Sequence, residues 1–461
     1  MSTRVLPMAA VAACICLAAS PSLALQSPGL PGPAPSAPSA PAPVAPDPQD
    51  PPAGPPPEPP QITQEIEELT RRLAVLAAAL ERLRSGEEPQ DVTVDEARRW
   101  ALGLAPSAAA AYRKRQGVSF AGYGEMLYEN FAARDESGRD LSRPGKFDFL
   151  RLILYSGYRF TDRFLFNSEI EFEHTDEVSV EFAYLDFTAS PSLTIRGGLL
   201  LLPMGLVNEF HEPTVFLGAR RPETERRLLP STWRENGAGV LGSRGSVSYR
   251  VYLVNGMDAS RFSASGLRSG RQSGGEAKAA DFAVVGRVDV TPTPGLFVGG
   301  SLYAGGSDQG MLAVDGLQLD VGTVIGELHA QAQIRGWDVR ALYARAALDD
   351  VARLNQALGL QGVKSIGETL VGGYAQIGYD LLSQRRRDLS LTPYYRFERL
   401  NTQASVPAGF RTDPAQDVTL HTVGVEMKPI PQVVLKVDYQ RVTNRARTGL
   451  SQFSIGLGYA F

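Results

Sequence analysis

From Val118 to the C-terminus apolar residues recur at nearly every second position, the side-chain period of an extended strand. In KFDFLRLILYSGYRFTDRFLFNSEIEFEH, residues 146 to 174, Leu150, Leu152, Leu154, Tyr158 and Phe160 share one face of a first strand, with Arg151 and Arg159 opposite. Thr161-Asp162-Arg163 turns the chain. In the second strand Phe164, Phe166, Ile170 and Phe172 share a face, and Asn167, Glu169, Glu171 and Glu173 share the other. A row of carboxylates has no place in a dry core, and the aromatic face opposite has none in water. Lipid outside and water inside suit both faces at once. The chain ends in the same pattern: in QFSIGLGYAF, Phe453, Ile455, Leu457, Tyr459 and Phe461 point one way.

Connections alternate in length. Short ones fall at 161–163, 190–192, 243–245, 292–295 and 335–338, with two somewhat longer at 384–388 and 429–432. Long ones fall between them at 133–145, 203–233, 257–280, 306–320, 349–368, 401–416 and 443–450, and the exception is a short one near Thr175. Outer-membrane barrels alternate periplasmic turns and external loops in this way. The spacing predicts an all-β fold, an antiparallel transmembrane β-barrel of about 16 strands over 117–461. An even count leaves both ends of the barrel on the periplasmic side, and a barrel of that size is wide enough for an aqueous channel.

The pattern before the barrel differs. Arg4, an apolar run from Val5 to Ala19 and Ser22-Leu23-Ala24 make residues 1–24 a secretory signal peptide. Residues 25–60 are dominated by Pro and Ala and favour extended polyproline II. In 61–87 the spacing alternates between four and three: Ile66, Leu73 and Leu80 take heptad position a, and Ile62, Leu69, Leu76 and Leu83 take d. That seam predicts an oligomerising coiled coil, and Leu at a leans towards three or more strands. Residues 88–116 read as a short Ala-rich helix or linker broken by Pro106.

Charge narrows the functional classes. With 46 Lys and Arg against 50 Asp and Glu, the chain is mildly acidic, which argues against a nucleic-acid partner. Its only cysteines, Cys14 and Cys16, lie in the leader, so disulfide and thiol chemistry are not expected. His174, His211, His329 and His421 are scattered, and Asn208 to Glu212 has the wrong spacing for a helical zinc pair. No catalytic set and no cofactor is expected. On the inward faces the phase places Arg151, Arg159, Arg196, Arg250, Arg287, Arg340, Arg396 and Lys436, with Glu169, Glu171, Glu173, Glu181, Asp289 and Asp438. Such rows either screen permeants by charge or pair across the wall. The connection from Pro203 carries Arg220, Arg221, Arg226, Arg227 and Arg234 among five glutamates. Its apolar pieces fit an inward constriction where guanidiniums would take phosphate or carboxylate groups, and a salt-bridged external loop is the other reading.

GVSFAGYGEMLYENF, SEIEFEH, IRGGLLLLPMGLVNEFHEP and RRPETERRLLPSTWRENGAGVLG together resemble porins of the phosphate-selective porin O and P family. The resemblance spans Val118 to Phe461 and implies a 16-stranded, usually trimeric channel with an arginine-lined constriction. The terminal Phe461 resembles the signal read by the barrel-assembly machinery. Outer-membrane lipid, two further copies of the chain and small anions or sugars are the implied partners, with peptidoglycan for the Pro-rich arm. Two other functions stay open: a general or carbohydrate porin, which the glutamate row favours, and an envelope tether anchored by its barrel.

Overall fold

The computed structural model describes residues 96–461 apart from 142, 386 and 387. The leader, the Pro-rich arm and the heptad seam from Ile62 to Leu83 lie outside the described residues. Within them the two-residue period becomes strands β1 (Gly117–Phe131), β2 (Lys146–Arg159), β3 (Phe164–Glu173), β4 (Glu177–Ser190), β5 (Leu193–Leu201), β6 (Arg234–Arg244), β7 (Val247–Asn255), β8 (Phe282–Thr293) and β9 (Leu296–Gly306). After a small hairpin, β10 (Ala313–Val314) and β11 (Leu317–Gln318), come β12 (Gly322–Ile334), β13 (Trp337–Leu348), β14 (Thr369–Tyr379), β15 (Ser390–Ser405), β16 (Asp417–Ile430), β17 (Val433–Asn444) and β18 (Gln452–Ala460). Each barrel strand pairs with its neighbours in sequence, β9 with β12 across the hairpin, and β1 pairs antiparallel with β18 to close the barrel. Removing the two hairpin strands leaves 16, the number the alternation predicts.

Closure explains the ending. The Phe461 amide donates to the Gly122 carbonyl at 2.9 Å, and the Gly122 amide donates to the Phe461 carbonyl at the same distance. The terminal residue therefore completes the β1–β18 ladder and leaves no free edge there. Gly122 and Gly124 provide the room, since a Cβ on either would collide with the rings of Phe461 and Tyr459.

Exposure is inverted relative to a soluble protein. Phe120 is 77% exposed, Leu328 69% and Val423 59%, while Glu169, Glu181 and Glu398 have no exposed surface. Apolar side chains on this scale, spread around the whole barrel, are satisfied by hydrocarbon, and the closed ladder pairs the strand backbones against it. No helix among the described residues is long and apolar enough to cross a membrane. The strands make the crossing.

The interior is occupied. Helix α1 (Glu96–Leu102), a turn through Pro106 and helix α2 (Ala110–Arg113) enter at the end of the short turns. Ala101, Leu104, Ala105 and Ala108 to Ala111 are all buried there. The alanines let backbone approach the wall, and Gly157 on β2 is the recess that receives Ala111. At mid-height the connection from β5 to β6 lies inside the barrel, where Met204, Leu206, Phe210, Leu228, Leu229 and Trp233 are buried.

Candidate functional site

The inward connection is held by the charges that line the wall. Its carbonyls accept from a ladder of cations on the far side: Val215 from Arg340 at 2.8 Å, Phe216 and Gly218 from Lys436 at 2.6 and 3.0 Å, and Leu217 and Arg220 from Arg396 at 3.3 and 3.2 Å. Its amides donate to carboxylates, Ala219 to Asp438 at 2.7 Å and Thr224 to Glu398 at 3.4 Å. Irregular backbone at membrane depth needs such partners, because neither water nor a neighbouring strand satisfies it.

Cations of the wall are also paired along it. Arg151 meets Glu171 at 3.0 Å and Glu173 at 3.7 Å, Arg196 meets Asp186 at 2.8 Å, and Arg396 meets Glu398 at 2.9 Å. Asp289 takes Arg250 at 2.9 Å and Arg287 at 2.8 Å, with His329 at 2.8 Å. Arg196 and Arg250 also reach the segment below, donating to the carbonyls of Leu102 and Trp100. Of the two readings left open for the charged rows, pairing describes Arg151, Arg196, Arg250, Glu171 and Glu173. Glu169 has a different neighbour, His211 of the inward connection, at 3.1 Å. Asp289→Ala would leave Arg250 and Arg287 only the longer ion contacts to Glu209, 3.4 and 3.9 Å, and breaking a buried pair costs up to about 3–5 kcal/mol. The expected result is a clear fall in the thermal unfolding midpoint by circular dichroism, with Asp289→Asn intermediate.

The arginines of the connection divide by partner. Arg220 pairs with Glu129 on β1, Arg226 with Glu223 at 2.6 Å, and Arg234 with Glu181 at 3.5 Å. Arg227 reaches only neutral acceptors, the Ser265 carbonyl at 3.0 Å and Gln416 at 2.6 Å. Arg221 keeps a buried Nη2 with no hydrogen-bond partner. Two more arginines join from the connection between β7 and β8. Arg268 donates to the carbonyls of Arg226 and Ser231. Arg271 donates to those of Pro230, Ser231 and Thr232, at 3.2, 3.2 and 2.8 Å.

These contacts fix geometry without cancelling charge. Burial first, then Arg271, Arg226 and Arg221, pushes the Arg268 pKa down to about 9. Burial and then Arg234 push that of Arg271 down to about 10. Burial is the first cause of both shifts, and neighbouring arginines add to it. Arg268 and Arg271 are absent from the sequence-predicted set, although residues 259–275 contain three arginines and no acid.

Toward the turn end a mouth of about 980 Å³ is lined by Arg98, Arg163, Trp100 and Phe297. A second cavity of about 230 Å³ lies between the inward connection and the far wall, lined by Arg99, Arg340, Lys428 and Glu426. Trp100 borders both, its ring 3.9 Å from Phe210 and 4.7 Å from Phe297 between centroids. An aromatic cluster therefore stands where the mouth meets the interior.

No family model matches the chain. Among solved structures it is similar to a loop-deletion mutant of OmpT from Vibrio cholerae, at TM-score 0.49 and 13% identity, over 76% of this chain and 100% of that one. It is also similar to an anion-selective porin from Comamonas acidovorans, at TM-score 0.46 and 12% identity, over 75% of this chain and 100% of that one. An uncharacterised protein of Aquifex aeolicus (strain VF5) is 37% identical over 372 residues, which cover 76% of this chain and 81% of that protein. The chain belongs to the same family as this Aquifex protein.

Proposed function

We propose that the protein is an outer-membrane channel for passive diffusion of small hydrophilic solutes, with a preference for anions set by the arginines around the inward connection. The leader-like residues 1–24 and the closed barrel with its apolar outer face support the membrane assignment. The observation that carries the preference is the partner set of Arg227, Arg268 and Arg271, which is made of carbonyl and amide oxygens. A permeant phosphate or carboxylate meets guanidiniums already oriented and not yet neutralised. Of the glutamates nearby, Glu171 and Glu173 are paired with Arg151, Glu129 with Arg220 and Glu181 with Arg234, while Glu235 accepts from Trp233, Asn255 and Gln272. The heptad seam from Ile62 to Leu83 supports a trimer in this proposal.

The test is the reversal potential of the purified full-length protein in a planar bilayer under a KCl gradient, repeated with inorganic phosphate. A reversal potential displaced towards that of chloride, with chloride current reduced by phosphate, is the expected result. A cation-selective or unselective channel indifferent to phosphate would overturn the anion preference and return the general or carbohydrate porin to first place.

A further inference from the structure

We infer that Glu169, Glu181 and His211 form a binding site for one divalent transition-metal ion that pins the inward connection to the barrel wall. The three side chains come from three separate pieces of chain. Glu169 lies on β3. Glu181 lies on β4, at a bulge where Glu169 pairs with Phe182 and Ile170 with Val180. The extra residue breaks the alternation, so Glu181 and Phe182 are both buried although adjacent. His211 descends from the inward connection. Its Nε2 lies 3.1 Å from Glu169 Oε1 and 3.0 Å from Glu181 Oε2, and all three residues are buried.

The other ring nitrogen decides what Nε2 can be. His211 Nδ1 lies 2.8 Å from the carbonyl of Asn208. A carbonyl only accepts, so Nδ1 carries a proton and the neutral ring presents a lone pair at Nε2. That lone pair would face two carboxylates at about 3 Å, a repulsive arrangement unless positive charge lies among the three atoms. A single proton on Nε2 points along one line and serves one carboxylate. Yet neither oxygen of Glu181, nor Oε2 of Glu169, has a hydrogen-bond partner. A metal ion bonded to Nε2, Glu169 Oε1 and Glu181 Oε2 would serve both carboxylates at once. At bond lengths of about 2.0–2.2 Å such ligand atoms lie a little over 3 Å apart.

The surroundings fit a ligating histidine. Its remaining N–H on a backbone carbonyl is the usual outer contact that fixes ring orientation and tautomer. Asn208 is itself fixed, donating to the Leu202 and Trp233 carbonyls at 2.7 and 2.9 Å and accepting from the Trp233 amide at 2.7 Å. Tyr123 sets its ring edge-on to His211 at 6.2 Å, and its buried hydroxyl has no partner. One imidazole with two carboxylates suits zinc, cobalt or manganese, and Arg234, 3.5 Å from Glu181 Oε1, leaves the other oxygen of that carboxylate for the ion. The site also reaches the N-terminal segment, because Glu212, the next residue, accepts from the Ser107 amide at 2.8 Å and the Ala108 amide at 3.3 Å.

The experiment is titration of purified, EDTA-stripped full-length protein with Co²⁺, read by visible absorption, followed by Zn²⁺ competition. The expected result is one equivalent per chain with ligand-field bands, displaced by Zn²⁺ and lost in both His211→Ala and Glu181→Gln. His329→Ala, at the other buried histidine, retains it. Circular dichroism of each variant checks that the barrel has folded. Wild-type protein that takes up no Co²⁺ overturns the proposal without reference to any variant, and assigns the His211 ring a second proton, on Nε2, instead. Uptake that survives His211→Ala overturns it equally, since the ion then lies elsewhere.

Discussion

Deleting residues 98–114 from the otherwise full-length chain is expected to raise single-channel conductance several-fold. This segment fills the turn-end half of the lumen, where Leu104, Ala105 and Ala109 are almost entirely buried. A barrel of 16 strands without such filling encloses water. The wall should survive the deletion, because two of the guanidiniums that hold the segment keep their wall partners: Arg196 stays on Asp186 and Arg250 on Asp289. A milder variant probes the same contact. Gly103 has φ of +66°, and a Cβ there would collide with the carboxylate of Glu209, which Arg250 holds at 3.4 Å. Gly103→Val is therefore expected to dislodge the segment partly and give an intermediate or flickering conductance. Conductance unchanged in both variants would mean that ions pass elsewhere and that the segment is no obstruction.

The barrel was legible because its pattern is local. Lipid on one side and polar atoms on the other force an alternation that each strand carries by itself, and connection length then fixes parity. Phe461 is part of the same pattern. What fills the barrel left a fainter trace. Ser107 and Glu212 are far apart in sequence, as are Trp100 and Arg250, and no periodicity announces that they meet. The run around Ala108 reads equally well as linker, because alanine is chosen there for what it omits. The inward arginines were visible on the strands, but phase alone could not distinguish a charge offered to a permeant from one holding a loop carbonyl. His211 was passed over for a related reason. Its partners depend on a bulge at Glu181, and a bulge breaks the alternation from which facing is inferred.

Replacing Arg268 and Arg271 together by glutamine is expected to lower the chloride-to-potassium permeability ratio by more than about tenfold, measured as reversal potential under a KCl gradient. At about 8 Å and an effective dielectric near 20, one unit charge contributes about 2 kcal/mol to the energy of a permeant ion. Salt screening removes about half of that at a half-buried site. Two charges then leave about 2 kcal/mol, more than a tenfold change in a permeability ratio. Glutamine retains N–H donors for the carbonyls of Ser231 and Thr232, so the connection should keep its path while losing charge. The control removes a pair: Arg226→Ala with Glu223→Ala leaves net charge unchanged and should leave the ratio nearly unchanged. A lysine pair at 268 and 271 separates charge from shape. Lysine keeps the field, and hence the chloride preference, but not the planar fork that grips phosphate, so block by phosphate should weaken while the reversal potential holds. If the glutamine pair leaves the reversal potential in place, the field at the constriction arises elsewhere, and the cluster serves only to hold the connection.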